Sequence, residues 1–183
     1  MHMDFIITIV NRSYGEQLLS FYKDQNVPVT LAALGKGTAS DDILALLGFG
    51  EPEKEVLFAV LTEKKARKLM HGLVHRMRLD LPGYGIAFTV PVRSIGGHLT
   101  MHYFLGEEPL YKEGEHQMEP TGYEAIIVIL NRGYTDMVMD AAKLAGATGG
   151  TVLQAKGVLG DHAARFFGVS LATEKEMAVA SHV

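Results

Sequence analysis

The sequence predicts an α+β protein in which a β-α-β-β-α-β unit is followed by a second unit cut short to β-α-β-β. Two observations carry that prediction. The first is self-similarity: Ile7-Thr8-Ile9-Val10-Asn11-Arg12-Ser13-Tyr14 returns as Ile127-Val128-Ile129-Leu130-Asn131-Arg132-Gly133-Tyr134. At the same spacing Lys36-Gly37 returns as Lys156-Gly157, Asp41 as Asp161 and Gly48 as Gly168. One residue out of step, Glu53-Lys54-Glu55 returns as Glu174-Lys175-Glu176. A shared offset across an apolar run, two loops and a charged turn points to a duplicated supersecondary unit. The second observation is periodicity, because strand-sized apolar runs alternate with stretches whose apolar residues recur at three-four spacing.

Phe5 to Val10 is β-branched and apolar nearly throughout, the pattern of a strand in the middle of a sheet. Asn11-Arg12-Ser13 ends it, and Ser13 is placed to cap the next helix. From Tyr14 to about Gln25, Leu18, Phe21 and Tyr22 mark one apolar helix face, and Asn26-Val27-Pro28 stops it. Val29 to Leu34 is the second strand, closed by Gly35-Lys36-Gly37-Thr38. Ser40-Asp41-Asp42 starts a short helical turn over Ile43 to Leu47, and Glu55 to Leu61 is the third strand. Thr62-Glu63 opens a helix over 63–80 with Ala66, Leu69, Met70, Leu73 and Met77 as its buried stripe. Pro82-Gly83-Tyr84-Gly85 turns the chain into a fourth strand, Ile86 to Val92. The order is that of a ferredoxin-like, or split βαβ, unit.

The second unit reads as strand (Ala125–Leu130), helix (Tyr134–Leu144), strand (Thr151–Ala155) and strand (Glu176–Ala180). The expected organisation is a complete domain over 1–95, a linker over 96–122 and a partial domain over 123–183. Counterparts of the 63–80 helix and the fourth strand are missing from the second unit, which leaves an open edge beside its first strand. In the linker, Leu99 to Leu105 has strand composition and could cover such an edge.

The composition narrows the function. At 183 residues, 48% hydrophobic and 21% charged, the chain suits two small soluble domains of roughly 90 and 60 residues. Small units bury a limited share of their surface, so association through a face or edge is expected. Net charge is −4 and, beyond the short Lys64-Lys65-Ala66-Arg67-Lys68 cluster, no basic run stands out, so no extended electrostatic footprint for nucleic acid is expected. Cysteine is absent, which removes disulfides, thiolate nucleophiles and zinc-thiolate sites. No signal peptide or membrane-spanning run is expected, and a cytoplasmic protein follows.

Three stretches resemble the nitrogen-regulatory PII signal proteins and their PII-like relatives. Ala145-Gly146-Ala147-Thr148-Gly149-Gly150-Thr151-Val152 is similar to the tight glycine connection from first helix to second strand. Gly85-Ile86-Ala87-Phe88-Thr89-Val90-Pro91-Val92 is similar to the last PII strand with its Val-Pro-Val ending. Thr173-Glu174-Lys175-Glu176 is similar to the turn leading into the third strand. The resemblance covers about residues 4–92 and 123–183. It implies cytosolic trimers of ferredoxin-like subunits that bind ATP or ADP in inter-subunit clefts, and 2-oxoglutarate with magnesium. It also implies a loop between strands two and three that is inserted into target proteins. Here the segment Lys36 to Glu55 is short for that loop and contains no tyrosine, the residue that the best-known members modify. The expectation is therefore a PII-like signalling protein with a different effector, an adenine nucleotide among the candidates. It would relay occupancy to a protein partner through the 36–55 and 156–175 segments.

Each candidate residue has two readings. Gly35-Lys36-Gly37-Thr38, with Lys156-Gly157 in the second unit, could present backbone N–H groups and an ammonium to a phosphate, with Asp41 helping to hold a metal. Equally, the glycines could simply turn the chain out of a strand. Arg12 and Arg132, at the ends of the first strands, could pair a ligand carboxylate or phosphate, or clamp a neighbouring loop carbonyl or an adjacent subunit, and the structural role is favoured. His71 and His75, four apart on a helix face with Lys64, Lys68 and Arg78, suit two metal ligands by spacing. The basic face favours a solvated role. His98 and His102 are also four apart, but in a strand they would stand about 13 Å from each other, too far to share an ion.

No enzymatic constellation assembles: Ser13, Ser20, Ser40, Ser94 and Ser170 lack a Gly-x-Ser-x-Gly setting. The alternatives to a PII-like regulator are a trimeric metal-tolerance protein of the same fold, binding copper or zinc through histidines, and a structural oligomerisation module.

Overall fold

A computed structural model of the chain describes residues 3–37, 53–96, 124–159 and 174–182. In chain order the elements are β1 (Met3–Asn11), a single 3-10 turn (Arg12–Tyr14), α1 (Gly15–Asp24), β2 (Val29–Lys36), β3 (Glu53–Thr62), α2 (Glu63–His75) and β4 (Gly85–Val92). Then follow β5 (Glu124–Asn131), α3 (Thr135–Leu144), β6 (Gly149–Leu159) and β7 (Glu174–His182). The described strands form one sheet in the order β4-β1-β3-β2-β6-β7-β5, and every ladder is antiparallel. Thus β1 to β4 have the split βαβ connectivity. The two halves meet where Val29–Ala32 of β2 pair with Leu159–Lys156 of β6.

Several local expectations need correction. Ser13 does not cap α1: Tyr14 holds the N-cap position without a side-chain bond, because residues 12–14 form the 3-10 turn first. Thr62 does cap α2, its hydroxyl accepting from the Lys65 N–H at 3.4 Å. That helix ends at His75 and not near residue 80, because Arg78 takes a left-handed conformation (φ 56°) and Leu79 N–H returns to the Leu73 carbonyl at 3.2 Å. Gly35 and Lys36 continue β2 and do not close it, and Glu174 to Glu176 open β7 where a turn was expected. Thr38, the 41–47 helical turn, the 99–105 strand and His98 and His102 lie outside the described residues.

The alternation of β1 and β3 separates two apolar clusters on opposite sides of the sheet. Ile6, Val10, Leu57, Ala59 and Leu61 face the helices, where Leu18, Phe21 and Tyr22 of α1 and Ala66, Leu69 and Leu73 of α2 bury them. The Thr8 and Tyr22 hydroxyls share a buried hydrogen bond of 2.7 Å on this side. On the other side Phe5 and Phe58 stack at 5.8 Å within a cluster that includes Leu31, Ala33, Ala155 and Met177. That cluster draws on both halves of the sheet.

The sheet also curls. Arg93, directly after β4, forms a charge-assisted hydrogen bond with Glu124 at the start of β5, although those strands stand at opposite ends of the sheet order. A flat sheet would hold those ends apart by many strand spacings. No helix among the described residues is long and apolar enough to cross a membrane.

Candidate functional site

The sequence places a polar end on each of the first three strands, and the ladder brings those ends together. Asn11 lies opposite Lys54, Gly35 opposite Lys54, and Lys36 opposite Glu53. A cavity of about 370 Å³ opens there, lined by Arg12, Leu34, Gly35, Lys36, Glu53 and Lys54. Three of the four predicted front-half residues that can be located (Arg12, Gly35 and Lys36) therefore share one site, and Gly37 directly follows them. A volume of that order suits a small molecule.

Three of the four charged groups in the cavity, Arg12, Glu53 and Lys54, have defined partners. Arg12 donates to Glu53 at 2.6 Å, with both side chains more than half exposed. The Lys54 ammonium donates to the Asn11 side-chain carbonyl, and the Asn11 amide donates to the Gly83 carbonyl at 3.3 Å. Asn11 thus links Lys54, which lines the cavity, to the turn before β4. At Gly35 a side-chain carbon would meet only Val56 and Lys54, at 3.6 and 3.8 Å, so packing does not demand glycine there.

The rear half repeats the same polar pairs. Arg132 donates to Glu174 at 2.7 Å, Lys175 donates to the Asn131 side chain, and Lys156 lies opposite Glu174. The Glu174 interaction raises the Arg132 pKa further, and desolvation lowers that of Lys175. Gly157 lies in β6 opposite Leu31.

Beneath these pairs the halves differ. Glu176 accepts hydrogen bonds from the Thr135 hydroxyl, from the Gly133 N–H at 3.3 Å and from the Gln154 amide at 3.4 Å. Those donors, Thr135 first, hold its carboxyl below the usual range. At the corresponding front position Glu55 packs against Gly15 so tightly that a side-chain carbon there would sit 1.6 Å from its carboxylate. Desolvation pushes the Glu55 carboxyl up, Arg12 and Lys156 pull it down, and Glu16 adds to the rise.

Glu53, Lys54 and Glu55 were legible in the sequence as a repeated triplet, but only as a marker of duplication. Their partners came from the register of β3. The His71 and His75 rings on α2 lie 4.1 Å apart with their planes tilted by 49°, and no cluster of three His, Cys, Asp or Glu able to hold a metal occurs among the described residues.

No family model and no curated protein matches the chain. Among solved structures, it is similar to a Thermus thermophilus protein inferred to be a PII-like signaling protein. That match has 14% identity and a TM-score of 0.38 over 50% of this chain and 87% of the other. It is also similar to a Bacillus cereus protein related to NIF3, at 13% identity and a TM-score of 0.38 over 92% of this chain. The chain covers 44% of the Bacillus protein's length. Values this low say nothing about what this chain binds.

Proposed function

We propose that the chain is a cytoplasmic, non-catalytic PII-like regulator built from two ferredoxin-like units in tandem. It binds a small anionic effector, an adenine nucleotide among the candidates, beside Lys36 and at the corresponding Lys156 position, and relays occupancy to a protein partner. The observation that supports this most is the charge of the cavity: Arg12, Lys36 and Lys54 line it against a single carboxylate, Glu53. An anion entering there competes with Glu53 for the Arg12 fork, and an exposed ion pair of that kind costs little to give up, roughly 0–1 kcal/mol. Occupancy would then release β3 from the 3-10 turn after β1, because Glu53 and Arg12 belong to those two elements. A ligand that contacts only one arrangement shifts its population.

The test is equilibrium dialysis together with thermal shift against ATP, ADP, AMP and cyclic dinucleotides. The expected result is saturable binding by one of them, weakened at least about tenfold in Lys36→Ala and Arg12→Ala, in line with the loss of a charge-assisted contact. Absence of any binding or shift across the panel removes the nucleotide reading.

A further inference from the structure

Two lysines are left unneutralised beside the joint of the two halves. Lys36 stands opposite Glu53 on β3, and Lys156 stands opposite Glu174 on β7. In both places an arginine takes the glutamate, Arg12 in the front half and Arg132 in the rear. Both lysines are exposed, and neither has an ion pair among the described residues.

The register sets them on one face of the sheet. Side chains directly across an antiparallel ladder share a face, as do alternate residues along a strand. Lys156 lies across from Ala32, so it shares a face with Ala32, Leu34 and Lys36. This is the helix side, because Ala32 packs against the cluster beneath α1 and α2. Four residues of strand and one strand spacing hold the two lysine backbones roughly 14 Å apart. Glu55 reports the same neighbourhood: burial raises its carboxyl, and Arg12 and then Lys156 pull it back down. One carboxylate thus feels both the cavity's arginine and the lysine of the other half.

Leu34 lies between the lysines, lining the cavity and 66% exposed. Glu55 stands opposite it on β3, with its carboxylate turned in against Gly15. An apolar side chain pairs no anion, so the charges of an occupant fall on either side of Leu34. A lone phosphate satisfies one lysine, whereas two anionic groups held apart by an organic frame reach both. Lysine suits that task, being a point charge on a flexible stem.

We infer that Lys36 and Lys156 are the two ends of one site crossing the β2–β6 joint, and that it takes an organic anion with two separated anionic groups. This rests on the proposed reading of the Lys36 cavity as an anion site. It narrows the effector from nucleotides in general to those carrying phosphate at two positions of the sugar, and it sets one molecule per chain.

Equilibrium dialysis of the full chain against adenosine 3′,5′-bisphosphate and against AMP is the test. The expected result is one bisphosphate per chain, bound at least about tenfold more tightly than AMP. Lys156→Ala removes that advantage and leaves AMP binding unchanged, whereas Lys36→Ala weakens both; circular dichroism checks that each variant is folded. Equal affinity for the two nucleotides, two bisphosphates per chain, or undiminished bisphosphate binding by Lys156→Ala overturns the inference and leaves the cavity reading intact. Binding of neither also overturns it, and the cavity reading then survives only if another nucleotide binds and is weakened in Lys36→Ala.

Discussion

Glu55 and Glu176 stand at corresponding places on β3 and β7, opposite Leu34 and Gln154, yet their environments push their pKa values in opposite directions. Glu176 has three donors, and a depressed folded-state pKa contributes stability above the ordinary carboxylate value of 4.5 that is lost as pH falls through the folded value. Glu55 has Gly15 where its counterpart has Thr135, so burial dominates. Its cost to the fold sets in as pH rises through 4.5 and is complete above its raised folded value. Glu176→Gln is therefore expected to lower stability at neutral pH and to flatten the acid limb of the stability curve, whereas Glu55→Gln raises stability at neutral pH. Urea denaturation of each variant from roughly pH 4 to 8 checks both signs. Equal effects of the two substitutions would show that their surroundings do not differ as described. This contrast was invisible in the sequence, where the two triplets read alike. It depends on Gly15 and Thr135, which are distant in the chain from the carboxylates they meet in the fold.

At the level of elements, close approach decides where glycine is required. Gly85 starts β4 at φ +142°, and a side-chain carbon there would lie 2.4 Å from the Ile9 carbonyl oxygen, which belongs to the β1 ladder and cannot swing away. Gly35, by contrast, has only ordinary contacts around it. We expect Gly85→Ala to cost about 1–3 kcal/mol through backbone strain. Gly35→Ala is expected to be neutral or stabilising by up to about 1 kcal/mol, through the unfolded chain. Chemical denaturation of the pair distinguishes these outcomes, and similar losses in both would contradict the contacts. Helix and strand positions were legible because each rests on local periodicity. The start of α1 was misread because a 3-10 turn intervened, and the end of α2 because Met77 kept the apolar rhythm while Arg78 reversed the chain.

Across the molecule, two contacts between distant parts differ in weight. The Arg93–Glu124 pair marks the curl of the sheet, but both side chains are about half exposed. Leu57 of β3, fully buried beneath the helices, holds the layers together. Arg93→Ala is expected to cost less than about 1 kcal/mol, and Leu57→Ala about 2–5 kcal/mol. Denaturant midpoints rank the two, and a larger loss at Arg93 would mean that the sheet depends on its corner ion pair. The expected cation set at the cavity was partly legible: Arg12, Gly35 and Lys36 stood out as strand-end residues, whereas Glu53 and Lys54 joined them only through the pairing of β2 with β3.

The sequence by itself determined which of the described segments are strands and helices and which of their faces are apolar, because those properties come from spacing within a few residues. Only the tertiary structure decided that β2 and β6 join two halves into one sheet and that the sheet curls until Arg93 meets Glu124. It also decided that three donors hold one carboxylate while burial dominates at its counterpart. Each of these depends on distances between residues far apart in the chain, which local patterning does not encode.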